Sequence, residues 1–122
     1  MGHTILIVDD SAPFRVMAAE LLAERGFDVL ATAGDGERAL AAAGQLCPDG
    51  VLLDINLPGR DGFAVASSVA AVCPTARIVL TSADFARLPD GVLTSCAAVA
   101  FVAKEELAAA DFTRLFTTPA GT

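Results

Sequence analysis

Three aspartates stand at the ends of two apolar runs. Ile5-Leu6-Ile7-Val8 ends in Asp9-Asp10, and Val51-Leu52-Leu53 ends in Asp54. Strands that are apolar throughout belong inside a sheet covered on both faces. Such a sheet binds ligands just beyond the carboxyl ends of its strands. If the two runs are neighbouring parallel strands, the three carboxylates converge there. Like charges so close cannot all stay ionised unaided. A hard divalent cation with oxygen ligands relieves them, and Mg2+ is the usual choice. The residues predict a magnesium site with one carboxylate available for chemistry.

The elements that must position these carboxylates are legible from periodicity. After the first strand (Thr4 to Val8), Pro13 suits the first turn of a helix capped by Ser11. Phe14, Met17, Ala18, Leu21 and Leu22 form one helical face, and Gly26 stops the helix. Val29 to Thr32 reads as the second strand. Asp35-Gly36 turns into an alanine-rich helix ending near Leu46, before Cys47-Pro48. Val51 to Asp54 is the third strand, and Pro58 to Gly62 is a loop with strong turn chemistry. A helix from Gly62 to Val72 buries Val65, Ala66 and Val69. Arg77 to Thr81 and Val99 to Val102 are the fourth and fifth strands, and Leu107, Asp111 and Leu115 belong to a last helix. Pro89, Asp90 and Gly91 interrupt the expected fourth helix between Ala83 and Ala98, which should be short or irregular. Strands alternating with helices predict an α/β, doubly wound, five-stranded parallel sheet with helices on both faces.

Composition narrows the partners. The 122 residues are 54% hydrophobic and 19% charged, which fits one globular domain. A net charge of -7 argues against direct contact with nucleic acid or an anionic membrane. No apolar stretch is long enough to span a bilayer, and the N-terminus lacks signal-peptide features, so a cytoplasmic protein is expected. Cys47, Cys73 and Cys96 form no CxxC and cannot all pair, and free thiols in a reducing cytosol are expected. His3, the only histidine, reads as a terminal surface residue.

The chain resembles a response-regulator receiver domain of bacterial two-component signalling, of the chemotaxis-receiver kind. The motifs are VDD at Val8 to Asp10, LLDINLPGRDG at Leu52 to Gly62, TSA at Thr81 to Ala83 and FVAK at Phe101 to Lys104. Each fragment is weak alone, but each stands at the end of the appropriate strand. The resemblance implies the flavodoxin-like strand order 2-1-3-4-5, with the receiver over residues 1–117 and a tail or linker start at 118–122. It implies that Asp54 is the phosphoacceptor. Asp9, Asp10, Asp54 and the Asn56 backbone carbonyl would hold Mg2+, with Asp10 in direct contact and Asp9 acting through water. Lys104 would bind the phosphoryl oxygens as a point charge. Ser82 is the chosen switch hydroxyl and Thr81 its alternative. Phe101 matches the aromatic switch position. The proline that often follows the lysine in the family is replaced by Glu105.

The implied activity is phosphorylation by a histidine kinase or phosphotransfer protein, assisted by the domain but without enzymatic turnover. The signal would pass to a protein target or a homodimer through the face of the fourth helix, fifth strand and fifth helix. A stand-alone receiver is the preferred reading. The alternative is the receiver half of a DNA-binding regulator. An Mg2+-dependent aspartyl-phosphate phosphatase is disfavoured, because Ile55-Asn56 follows Asp54 where a second acid would be needed and no cap domain exists. Flavin binding is disfavoured because Asp9-Asp10 replaces a phosphate-cradling loop.

Overall fold

The computed structural model describes residues 3–59, 61–83 and 98–116. Five parallel strands form one sheet in the order β2-β1-β3-β4-β5. They are β1 (Thr4–Val8), β2 (Asp28–Ala33), β3 (Gly50–Asp54), β4 (Arg77–Ser82) and β5 (Ala100–Ala103). The two apolar runs are neighbours, with Val8 opposite Leu53. Asp54 in turn lies opposite Thr81 on β4.

Helices cover both faces. On one, Ala39 and Ala43 of α2 (Gly36–Leu46) and Val65, Ala66 and Val69 of α3 (Gly62–Val72) pack with Leu6, Val8, Leu53 and Leu80. On the other, Ala18 and Leu22 of α1 (Ala12–Glu24) join Ile5, Ile7, Leu52, Val79, Leu107, Phe112 and Phe116. Side chains alternate across a strand, so each strand feeds both cores. Ile5 to Val8 are all fully buried. Full burial of one such aliphatic side chain contributes about 1.5–3 kcal/mol.

Ser11 caps α1 as expected, and two aspartates read from the sequence only as turn and loop residues cap the next helices. The Ser11 hydroxyl accepts from the Phe14 N–H, Asp35 caps α2 and Asp61 caps α3. Gly26 takes φ +89°, the left-handed conformation in which a side chain is disfavoured. The face assigned to α1 holds except at Met17, with Phe14 and Leu21 packed partly buried beside the core. Ala18 and Leu22 are buried, whereas Met17 is exposed.

The continuous last helix is not observed. A 3-10 helix (Lys104–Ala109) is followed by a break and a short terminal helix (Phe112–Phe116). Asp111 caps the terminal helix through the Arg114 N–H at 3.1 Å instead of lying inside a helix. The Arg25 guanidinium takes up the carbonyls of Ala108 and Ala110 at the break. Phe112 and Phe116 stack on each other and meet Phe27 edge-on. The strands also differ from expectation at their ends: β4 extends to Ser82, and β5 begins one residue later and reaches Ala103. The interrupted fourth helix and the tail at 118–122 lie outside the described residues.

Free thiols are also not what forms. Cys47 and Cys73 are joined by a disulfide with a Cα–Cα distance of 5.6 Å. Cys47 is the C-cap of α2 and Cys73 that of α3, and these helices are neighbours on one face. Their spacing of 26 residues carries no sign of this juxtaposition. It arises from two helices that start at one edge of the sheet and end together at the other.

Candidate functional site

The same local device ends β1 and β3. Asp9 Oδ1 accepts the Ser11 N–H at 2.8 Å, and Asp54 Oδ1 accepts the Asn56 N–H at 2.9 Å. Each is an aspartate bonded to the backbone two residues on, the turn this side chain favours. One carboxylate oxygen is thereby fixed at each strand end. The other oxygen of each faces Lys104, whose Nζ lies 2.6 Å from Asp9 Oδ2 and 3.4 Å from Asp54 Oδ2. Carboxylate oxygens of Asp9, Asp10 and Asp54 fall within 4.8 Å of one another. Asp9 and Asp54 are buried, and Asp10 is exposed.

Further contacts hold these two strand ends. The Asp9 N–H continues the ladder to Ala33 O at 3.0 Å, and the Arg15 guanidinium donates to Asp9 O at 2.6 Å. Gly62 lets α3 start against the end of β3. A Cβ there would lie 2.3 Å from the Ile55 Cα, and the Gly62 N–H donates to Ile55 O at 3.2 Å. Lys104 reaches the carboxylates from the end of β5 and lies over the Phe14 ring, 4.3 Å from its centroid. At that distance the ring's negative face attracts the ammonium. The peptide bond between Lys104 and Glu105 is trans, and the 3-10 helix begins there.

Electrostatics follow from burial. Burial raises the Asp54 pKa above 3.8, and the Asp9 charge adds to this; the Asn56 N–H and Lys104 oppose it. Burial works against the Lys104 charge, yet its pKa is raised above 10.5 because Asp9 and Asp54 hold the ammonium. The cluster is short of positive charge.

On β4 both hydroxyl residues are fully buried. Ser82 Oγ accepts from the Asn56 side-chain amide at 3.1 Å, which ties it to the loop that follows Asp54. Thr81 Oγ1 has no hydrogen-bond partner among the described residues. Phe101 is half-buried, packs on the core beneath α2 and α3, and lines a surface cavity of 340 Å³ with Val102, Glu106 and Arg114. The structure thus gathers Asp9, Asp10, Asp54 and Lys104 at one point and links Ser82 to it through Asn56. The sequence marks Phe14 only as part of the α1 face and does not single out Arg15. Helical periodicity assigns a face and cannot foresee a ring beneath a lysine 90 residues later.

The family model for the response regulator receiver domain matches residues 5–112. This chain is a response regulator receiver domain. The receiver is 39% identical over 83 residues to chemotaxis protein CheY of Bacillus subtilis, covering 68% of this chain and 69% of that protein. It is 38% identical over 78 residues to the transcriptional regulatory protein PdtaR of Mycobacterium tuberculosis, covering 64% of this chain and only 38% of that longer protein. Vibrio cholerae chemotaxis protein CheY4 superposes with a TM-score of 0.81 at 25% identity, covering 94% of the receiver and 99% of that chain. In the CheX-CheY-BeF3-Mg+2 complex of Borrelia burgdorferi the matching chain gives 0.78 at 25% identity, covering 95% and 90%. The parallel sheet of order 2-1-3-4-5 is the flavodoxin-like fold of these receivers. Receiver domains accept phosphoryl groups in two-component signalling, bind Mg2+ at an acidic pocket, and work with histidine kinases and downstream targets. They are generally not enzymes by themselves. No helix among the described residues is long and apolar enough to cross a membrane.

Proposed function

We propose that Asp54 is the phosphoacceptor of this receiver. The supporting observation is the placement of its carboxylate, fixed by Asn56 through Oδ1 and facing Lys104 through Oδ2 beside Asp9. A histidine kinase or phosphotransfer protein is the donor, in the cytoplasm. An Asp54 oxygen forms a bond to phosphorus as the donor's P–N bond to histidine breaks. Lys104 neutralises the equatorial oxygens, so catalysis is positioning plus electrostatics.

The donor set fits Mg2+. It is all oxygen, and three carboxylates gather beside the ammonium of Lys104, an arrangement that a hard divalent cation would relieve. Asp9, Asp10, Asp54 and the Asn56 carbonyl would hold the ion. When bound it supplies charge stabilisation for the transferring phosphoryl group. Ser82 then exchanges the Asn56 amide for a phosphoryl oxygen, and Phe101 follows into the space vacated. Phosphorylation biases two arrangements of the β5 surface. The readout is a protein target or a second copy. The relatives matched include a chemotaxis protein and a transcriptional regulator, and either output suits this domain.

Intact mass after incubation with acetyl phosphate and Mg2+ tests the assignment. The native chain should gain one phosphoryl group and Asp54→Asn none. Undiminished labelling of the variant would overturn it.

A further inference from the structure

We infer that Cys47 and Cys73 form a site of reversible thiol–disulfide exchange with low-molecular-weight thiols, acting as a removable staple between α2 and α3. The inference rests on placement and accessibility. The bond joins the C-caps of two adjacent helices, at the edge of the sheet opposite the acidic cluster. Cys47 is exposed, whereas Cys73 is fully buried. Cys47 is thus the partner on the solvent side, and attack at its sulfur is the expected route, because access decides which sulfur reacts.

The backbone at Cys47 is also unusual. It takes φ 42°, the one non-glycine residue with positive φ among those described. That conformation disfavours a side chain and persists only where the surroundings hold it. Here Pro48 ends α2 and Cys73 anchors the side chain from the next helix. The segment closed by the bond contains all of β3, Asp54 and α3. A kinase-coupled receiver works where thiols are kept reduced, and disulfides found there are usually transient and redox-sensing. This last step rests on the cytoplasmic reading; the geometry does not.

The exchange balances in two steps. A thiolate attacks Cys47 Sγ, forming a mixed disulfide and breaking the Cys47–Cys73 bond, and the Cys73 thiolate takes a proton. A second thiolate then attacks the mixed disulfide at the small molecule's sulfur. It forms the oxidised small-molecule disulfide and releases Cys47 as a thiol. Two electrons and two protons enter the protein. The small-molecule disulfide is the oxidant for the reverse reaction. The constraint removed is the closure of the loop between the two cysteines, which stabilises chiefly by restricting the unfolded chain.

The test equilibrates the full chain in graded mixtures of reduced and oxidised glutathione, quenches with acid and maps tryptic peptides. The three cysteines fall on separate peptides, 39–60, 61–77 and 88–104. Peptides 39–60 and 61–77 should be joined at the oxidising end and separate together as thiol rises, with a glutathione adduct on 39–60. The melting temperature should fall on the order of 10 °C on reduction. The double variant Cys47→Ser/Cys73→Ser should melt like the reduced native chain and ignore reductant. Unlinked peptides in the oxidised chain, a link that resists glutathione until the protein unfolds, or melting indifferent to reductant would each overturn the proposal. A glutathione adduct on 61–77 would overturn the choice of sulfur. Should the double variant not fold, the native chain's peptide map and melts decide alone. None of these readouts depends on phosphorylation, so loss of the Asp54 assignment would leave them standing.

Discussion

Lys104 Nζ lies closer to Asp9 Oδ2, at 2.6 Å, than to Asp54 Oδ2, at 3.4 Å. The ammonium rests on the fully buried carboxylate and only leans on the proposed acceptor. Removing it leaves two buried carboxylates uncompensated. Lys104→Ala should therefore lower stability in chelator by on the order of 2 kcal/mol at neutral pH. Adding Asp9→Asn should recover part of that loss. Urea unfolding of the double-mutant cycle measures the coupling, and strictly additive losses would show that the pair does not interact.

Asp54 sets a pH dependence of opposite sign to an ordinary salt-bridged aspartate. Its folded pKa is raised above 3.8, chiefly by burial. The folded state thus binds this proton more tightly than the unfolded chain. The stability tied to it is fully present below pH 3.8 and is lost as pH rises through the folded pKa. Asp54→Asn removes the ionisation and should raise the neutral-pH melting temperature in chelator by a few degrees. The difference from the native chain should shrink as pH falls toward 3.8. Thermal melts across that range check it. A variant less stable than the native chain at neutral pH would contradict the sign.

Phe14 should matter through its ring face. Phe14→Leu keeps an apolar residue at this half-buried position but removes the attraction for Lys104. A loss of about 0.5–1 kcal/mol corresponds to a roughly two- to five-fold slower uptake from acetyl phosphate. Phe14→Tyr retains the ring and should stay near the native rate. Equal rates for Leu and Tyr variants, measured with Mg2+ saturating, would assign Phe14 to packing alone.

Gly62 tests the junction behind Asp54. A Cβ at 2.3 Å from the Ile55 Cα meets backbone, which cannot rotate away. Gly62→Ala should cost about 2 kcal/mol or more by shifting α3 from the end of β3. The urea midpoint reads the loss. A change within about 0.5 kcal/mol, the usual range for a neutral surface substitution, would mean that the loop relaxes freely.

Much of this protein is local and so was legible in its residues. Apolar runs marked β1, β3 and β4, and the cap at Ser11 and the turn residues at Asp35-Gly36 marked helix starts, because strands and caps depend on near neighbours. The acidic pair, Asp54 and Lys104 could be read as one site because parallel strands bring their carboxyl ends to one edge. Other features needed the fold. Nothing in the periodicity of α1 separates exposed Met17 from buried Ala18 and Leu22, since the width of a buried stripe depends on how closely the helix approaches the sheet. The break at Ala110 exists because Arg25, distant in sequence, accommodates the released carbonyls. The Cys47–Cys73 bond exists because two helices end side by side. The sequence by itself determined which groups stand at the strand ends; the tertiary structure decided which oxygen faces the lysine, which ring lies beneath it and which thiols meet. Those outcomes depend on ångström-scale packing between segments far apart in the chain, and residue type and spacing do not encode such distances.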